Sequence, residues 1–104
     1  MNKYIICPLH YTMNLIGTKS KPLILFHLIE GGLRSGILQK KISGISNKMF
    51  TQTVRQLEKD GLITRKVYSV VPPKVEYKLS ARGKSLEPIL RSLDSWGLED
   101  CHNT

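Results

Sequence analysis

Residues 46–59 read Ser-Asn-Lys-Met-Phe-Thr-Gln-Thr-Val-Arg-Gln-Leu-Glu-Lys. Lys48, Thr51, Gln52, Arg55 and Lys59 recur at spacings that gather them on one face of a helix, while Phe50, Val54 and Leu57 fall on the other. These side chains suit recognition better than bond-breaking. Arginine and glutamine can each bond two atoms on a base edge, and threonine and asparagine can donate or accept. Lysine suits a phosphate. Ser46 is placed to cap this helix, and Asn47 follows it where free backbone N–H groups favour an anion.

The charge distribution points the same way. The chain has 104 residues and a formal net charge of +8. From Arg34 to Lys84, twelve basic residues stand against three acidic ones, and the rest of the chain is slightly acidic. A basic middle between near-neutral ends suggests a polyanion-binding unit. Residues 1–104 are expected to form one domain, because a chain of this length leaves no room for a second module. Hydrophobic residues make up 40% of it, enough for a packed core rather than a disordered tail. The apolar stretches, Pro22–Phe26 among them, are too short to span a membrane. With no cleavage pattern at the start, the expectation is a soluble cytoplasmic protein. Two cysteines cannot build a disulfide scaffold, so Cys7 and Cys101 read as thiols.

The elements that must position the polar face follow from caps and periodicity. A first helix is expected from Pro8 through Tyr11, Met13, Leu15 and Ile16 to Gly17. Ser20 is expected to cap a second, buried helix over Leu23–Ile29, ending at Gly31-Gly32. Ser35 should cap a short third helix carrying Ile37, Leu38 and Ile42. Ser43-Gly44-Ile45 is a tight turn, and Ser46 opens the fourth helix. Leu62–Val71 is β-rich, Pro72-Pro73 breaks it, and Lys74–Leu79 alternates with the period of a half-buried strand. Together they make a hairpin bearing Arg65, Lys66, Lys74 and Lys78. Ser80 should cap one last helix with an apolar stripe of Leu86, Ile89, Leu90, Leu93 and Trp96.

The fold class is therefore mainly α with a small β-hairpin wing: a winged helix-turn-helix. The expected recognition-helix contacts to double-stranded DNA are Ser46, Asn47, Lys48, Thr51, Gln52 and Arg55. Lys40, Lys41, Arg65, Lys66 and Lys74 are expected to anchor phosphates from the wing and backbone side. A winged-helix module binding an acidic protein is the competing reading. No Gly-rich phosphate loop and no nucleophile–base set supports an enzyme. Cys7 and His10 have zinc-ligand spacing, but Cys101-His102 is a poor second pair, so neither a metal nor a cofactor is expected. His27 reads as a core or interface histidine.

Several stretches resemble the HxlR-type winged helix-turn-helix regulators, relatives of the MarR regulators. They are Cys7-Pro8-Leu9, Leu15-Ile16-Gly17, Gly44-Ile45-Ser46-Asn47-Lys48-Met49, Leu57-Glu58-Lys59-Asp60-Gly61-Leu62 and Val71-Pro72-Pro73-Lys74-Val75-Glu76-Tyr77. The resemblance covers about residues 7 to 97. The chain departs from it at Ser20, where the family often carries tryptophan, and at Ser35 and Ile37, where phenylalanine and glutamate are common. The resemblance implies a homodimeric DNA-binding transcriptional regulator whose terminal helices, about 8–17 and 81–100, build the dimer. A small domain has little surface to bury Leu86, Ile89, Leu90, Leu93 and Trp96 within itself, which favours the same reading. The resemblance also implies that Cys7 could sense oxidants, with Cys101 of a second subunit within reach. No residue set names a small-molecule inducer.

Overall fold

The computed structural model describes residues 7–102. In chain order it comprises α1 (Pro8–Ile16), α2 (Ser20–His27), β1 (Leu33–Arg34), α3 (Ser35–Lys41), α4 (Asn47–Lys59), β2 (Ile63–Tyr68), β3 (Lys74–Leu79), α5 (Ala81–Lys84) and α6 (Glu87–His102). The three strands form one antiparallel sheet in the order β1-β3-β2. Ile24, Leu25, Leu28, Leu38, Phe50, Val54, Leu57, Leu62 and Ile63 form the centre of the core. Tyr77 and Leu79 close it from the sheet and Leu90 from α6.

Local signals explain most boundaries. Pro8 supplies a preset φ in the first turn of α1, and Gly17 ends the helix, its N–H bonded to the Met13 carbonyl at 2.7 Å. Ser46 Oγ accepts from the Met49 N–H at 3.1 Å and so caps α4. Gly61 ends the turn after α4 with φ +76°, a left-handed conformation that glycine adopts without strain.

Several expectations change. Ser20 does not cap α2. It lies inside the helix, and Thr18 Oγ1 accepts from the Lys21 N–H at 3.2 Å instead. Ser20 is buried, its hydroxyl 2.9 Å from that of Thr53 on α4. The helix stops at His27, and Leu23, expected in its buried face, is exposed. Ser35 makes no side-chain cap either, because α3 begins at Ser35 and its capping position is Arg34.

The expected last helix is two helices. Ser80 caps α5 by accepting from the Gly83 N–H at 3.0 Å. Pro88 then stands in the first turn of α6, where its missing N–H and its ring clash with the preceding turn forbid a continuous helix through residue 84. The strand expected to reach Val71 stops at Tyr68, and the two-residue β1, which sequence patterning does not announce, pairs with β3 through Leu33 and Arg34.

α5 is tightly held. Ser80 Oγ donates to the Gly61 carbonyl at 2.6 Å. Arg82 donates to the Asp60 carbonyl and, at 3.1 Å, to the Tyr11 hydroxyl on α1. A Cβ on Gly83 would overlap the Leu62 carbonyl oxygen, so the backbones touch there. On the other side, Arg91 of α6 pairs with Glu87 and with Glu30, each at 2.9 Å.

Candidate nucleic-acid interface

α4 is strongly two-faced. Phe50, Thr53, Val54 and Leu57 are buried and fix its rotation against the core. Lys48, Thr51, Gln52, Arg55 and Lys59 are all exposed on the remaining surface. The packing that buries one set therefore presents the other. α3 and the 42–45 turn place the N-terminus of α4, with Gly44 at φ +76° allowing the chain to reverse. Gln39 of α3 donates to the Asn47 side-chain oxygen across that turn.

The hairpin divides its cations between two faces. β2 pairs with β3 in the register Arg65↔Tyr77, Lys66↔Glu76 and Tyr68↔Lys74. Strand alternation then puts Arg65 on the side of Tyr77 and Lys66 on the side of Tyr68. Arg65 accordingly lines a small cleft with Thr51, Arg55, Glu58 and Tyr77, between α4 and the sheet. Lys66 and Lys74 hold their ammonium groups 4.8 Å and 4.3 Å from the centre of the Tyr68 ring. That is cation–π distance on both. The Tyr68 hydroxyl donates to Glu76 at 3.4 Å on the same face.

Not every expected contact joins this surface. Lys40 lies beside the 42–45 turn with Gln39 and Gly44. Lys41, its neighbour, lines a different cleft with His27, Glu30 and Arg91. There, burial and the nearby Lys41 charge lower the His27 pKa below its ordinary value. Thr53, which the sequence reading assigns to neither face of α4, is buried and bonds inward: its hydroxyl donates to the Met49 carbonyl at 2.7 Å. Thr53 lies three residues after Phe50 and four before Leu57, in phase with the buried face, and that spacing is the available signal.

A second set of exposed groups lies at the chain ends. Leu9, Tyr11 and Met13 on α1 and Ile89, Leu93, Trp96 and Leu98 on α6 are large apolar side chains open to solvent. Leu98 was missed because it falls off the stripe read from the sequence. Leu90 is buried and Leu86 half-buried, both packed against the core. Cys7, next to α1, and Cys101, near the end of α6, are both exposed. Among the described residues no helix is long and apolar enough to cross a membrane, and no three His, Cys, Asp or Glu side chains gather as a metal site.

A short helix, a tight turn, an outward polar helix and a basic hairpin define a winged helix-turn-helix protein. The chain belongs to the HxlR-like helix-turn-helix family, whose model matches residues 15–104. It is 51% identical over 86 residues to an uncharacterized HTH-type transcriptional regulator, YtcD, of Bacillus subtilis (strain 168), covering 83% of this chain and 68% of that one. A solved structure described as the redox regulator HypR in its oxidized form superposes with a TM-score of 0.85 at 40% identity, covering 89% of this chain and 96% of that one. The reduced form of the transcriptional regulator YodB from B. subtilis gives a TM-score of 0.77 at 27% identity, covering 96% of this chain and 99% of that one. This protein is a transcriptional regulator of the helix-turn-helix type, not an enzyme.

Proposed function

We propose that residues 1–104 act in the cytoplasm as one domain that dimerises through α1 and α6 and binds a two-fold-symmetric site in duplex DNA. The observation that carries this reading is the exposed face of α4, whose rotation the buried Phe50, Val54 and Leu57 fix. Arg55, Gln52, Thr51 and Asn47 are the base-edge contacts; Lys48 and the first-turn N–H groups of α4, with Ser46 beside them, take a phosphate. Arg65, which shares a cleft with Arg55, tracks the backbone next to the recognition helix. Lys66 and Lys74 at the wing and Lys40 beside the turn anchor neighbouring phosphates, and Lys41 stands apart from this set.

Ile89, Leu93, Trp96 and Leu98 with the exposed apolar groups of α1 supply the subunit contact. Leu90 and Leu86 support that surface from inside. Selection of bound duplexes from a random pool tests the whole reading. A palindromic consensus is expected, with affinity falling steeply with salt, near −0.9 in log–log slope per phosphate contact. Binding to an acidic protein with no preference among duplexes is the opposing result.

Thiol sensing by Cys7 and Cys101 is part of the proposal. It is supported by the exposure of both cysteine residues and by the likeness to a protein described as a redox regulator. Non-reducing electrophoresis after mild oxidation should yield a disulfide-linked dimer with altered DNA affinity. An unchanged monomer band with unchanged affinity rejects it.

A further inference from the structure

Between α2, the 42–45 turn and α4 lies an open groove of about 460 Å³. That size falls within the range of small-molecule sites, roughly 300–1,000 Å³. Its walls are apolar: Leu23 from α2, Ile42 and Ile45 from the turn, and Met49 from α4. Leu23 and Met49 are exposed there although each is a large apolar side chain. Ser20 and Thr53, both buried, contribute the polar atoms at the inner side.

The polarity of that inner side can be worked out. Thr53 has one hydroxyl hydrogen, and it goes to the Met49 carbonyl at 2.7 Å, which can only accept. The bond of 2.9 Å between Ser20 and Thr53 must then use the hydrogen of Ser20. Ser20 Oγ is left with acceptor capacity and no hydrogen to give. Lys19 and Lys21 also line the groove, and none of its lining residues is acidic. The groove thus offers apolar walls, one inner acceptor and a positive edge.

We propose that this groove binds a small aromatic compound carrying a hydroxyl group, which donates to Ser20 Oγ while the rings lie between Leu23 and Met49. The positive edge admits neutral or anionic compounds and disfavours cationic ones. Gln52 lines the same groove, so an occupant crowds the face of α4 assigned to DNA. This coupling rests on the DNA-binding reading above, whereas the binding itself does not.

The test is a titration of the full chain with 2-naphthol, without DNA, followed by amide chemical shifts. Saturable shifts at Ser20, Gly44, Ile45 and Thr53 are expected. The probe 2-methoxynaphthalene cannot donate and should bind about fivefold more weakly, the loss of one net hydrogen bond. Ser20→Ala should erase that difference while keeping the fold. Ser20→Trp should fill the groove and abolish the shifts, its own spectrum reporting whether it folds. Shifts confined to α1 and α6, or equal affinity for the two probes in the wild type, overturn the proposal. A separate DNA titration tests the coupling: 2-naphthol should weaken DNA binding in the wild type, and an unchanged affinity with the groove occupied rejects it.

Discussion

Gln39 on α3 and Asn47 at the start of α4 are joined by a hydrogen bond in which the Gln39 amide donates to the Asn47 oxygen. Asn47 is thereby left with two N–H donors to offer a ligand. In the proposed complex it donates to a phosphate or to a base acceptor. Gln39 is then a positioning residue. Gln39→Ala should weaken binding to the selected duplex by about 1 kcal/mol, a loss of about fivefold. Because both changes remove one unit, the double variant with Asn47→Ala should be no weaker than Asn47→Ala alone. Fluorescence anisotropy reads both, and additive losses would show that Gln39 acts on its own.

Arg55 and Lys66 should fail in different ways. Arg55 projects from the outward face of α4, so Arg55→Ala should cost about 1–3 kcal/mol on the preferred duplex and little on others. Lys66 lies on the opposite face of the hairpin from Arg65 and stacks on Tyr68. Lys66→Ala should weaken all duplexes alike and reduce the salt slope by about one unit. Binding isotherms over a salt series on specific and random duplexes separate the two.

Gly83 has no room for a side chain. A methyl group there would run into the Leu62 carbonyl, which belongs to backbone rather than to a flexible side chain. Gly83→Ala should lower unfolding stability by about 2 kcal/mol or more despite the higher helix propensity of alanine. Urea denaturation measures it. Gly36→Ala makes a fitting control, since a Cβ there meets nothing within 4 Å.

Leu90 and Leu93 are three residues apart and should behave oppositely. Leu90 is buried, so Leu90→Ala should cost about 2–5 kcal/mol of stability. Leu93 is exposed, so Leu93→Asp should leave the fold intact and yield a monomer at concentrations where the wild type is dimeric. Denaturation and sedimentation velocity on both variants give the comparison. A wild type that sediments as a monomer removes the basis of the dimer reading.

His27 makes stability depend on pH. Its pKa is lowered, first by burial and then by Lys41, so the unfolded chain takes up the proton more readily. Acidification through and below the ordinary histidine range therefore favours unfolding. Glu30 and Arg91 share the cleft, and the Glu30–Arg91 pair is exposed enough to leave that direction unchanged. Thermal melts from pH 7.5 to 5 should show a falling midpoint, with a flatter profile for His27→Gln.

How far the sequence could be read depended on the range of the interactions. The rotation of α4 was plain, because Phe50, Val54 and Leu57 repeat with helical period and Ser46 caps locally. The hairpin was equally plain from β-rich runs on either side of Pro72-Pro73. Pro88 is the local sign of the break between α5 and α6, whereas the apolar stripe from Leu86 to Trp96 runs past it and reads as one continuous helix. Ser20 looked like a cap because serine often is one; its partner Thr53 is 33 positions away and meets it only once α2 packs on α4. The groove beside them had no signature, since its walls come from three separate segments.

The short α5 has a mechanical consequence. It is held to Asp60, Gly61, Leu62 and Tyr11 at once, so it is a stiff elbow rather than a hinge. A tilt of α6 against a second subunit would swing the wing and the end of α4 with it. In the proposed dimer, the separation of the two α4 helices, which must match one helical turn of DNA at about 34 Å, is then a readout of how α6 packs at the two-fold axis. Small shifts at the subunit contact would be geared into a change of phase along the duplex.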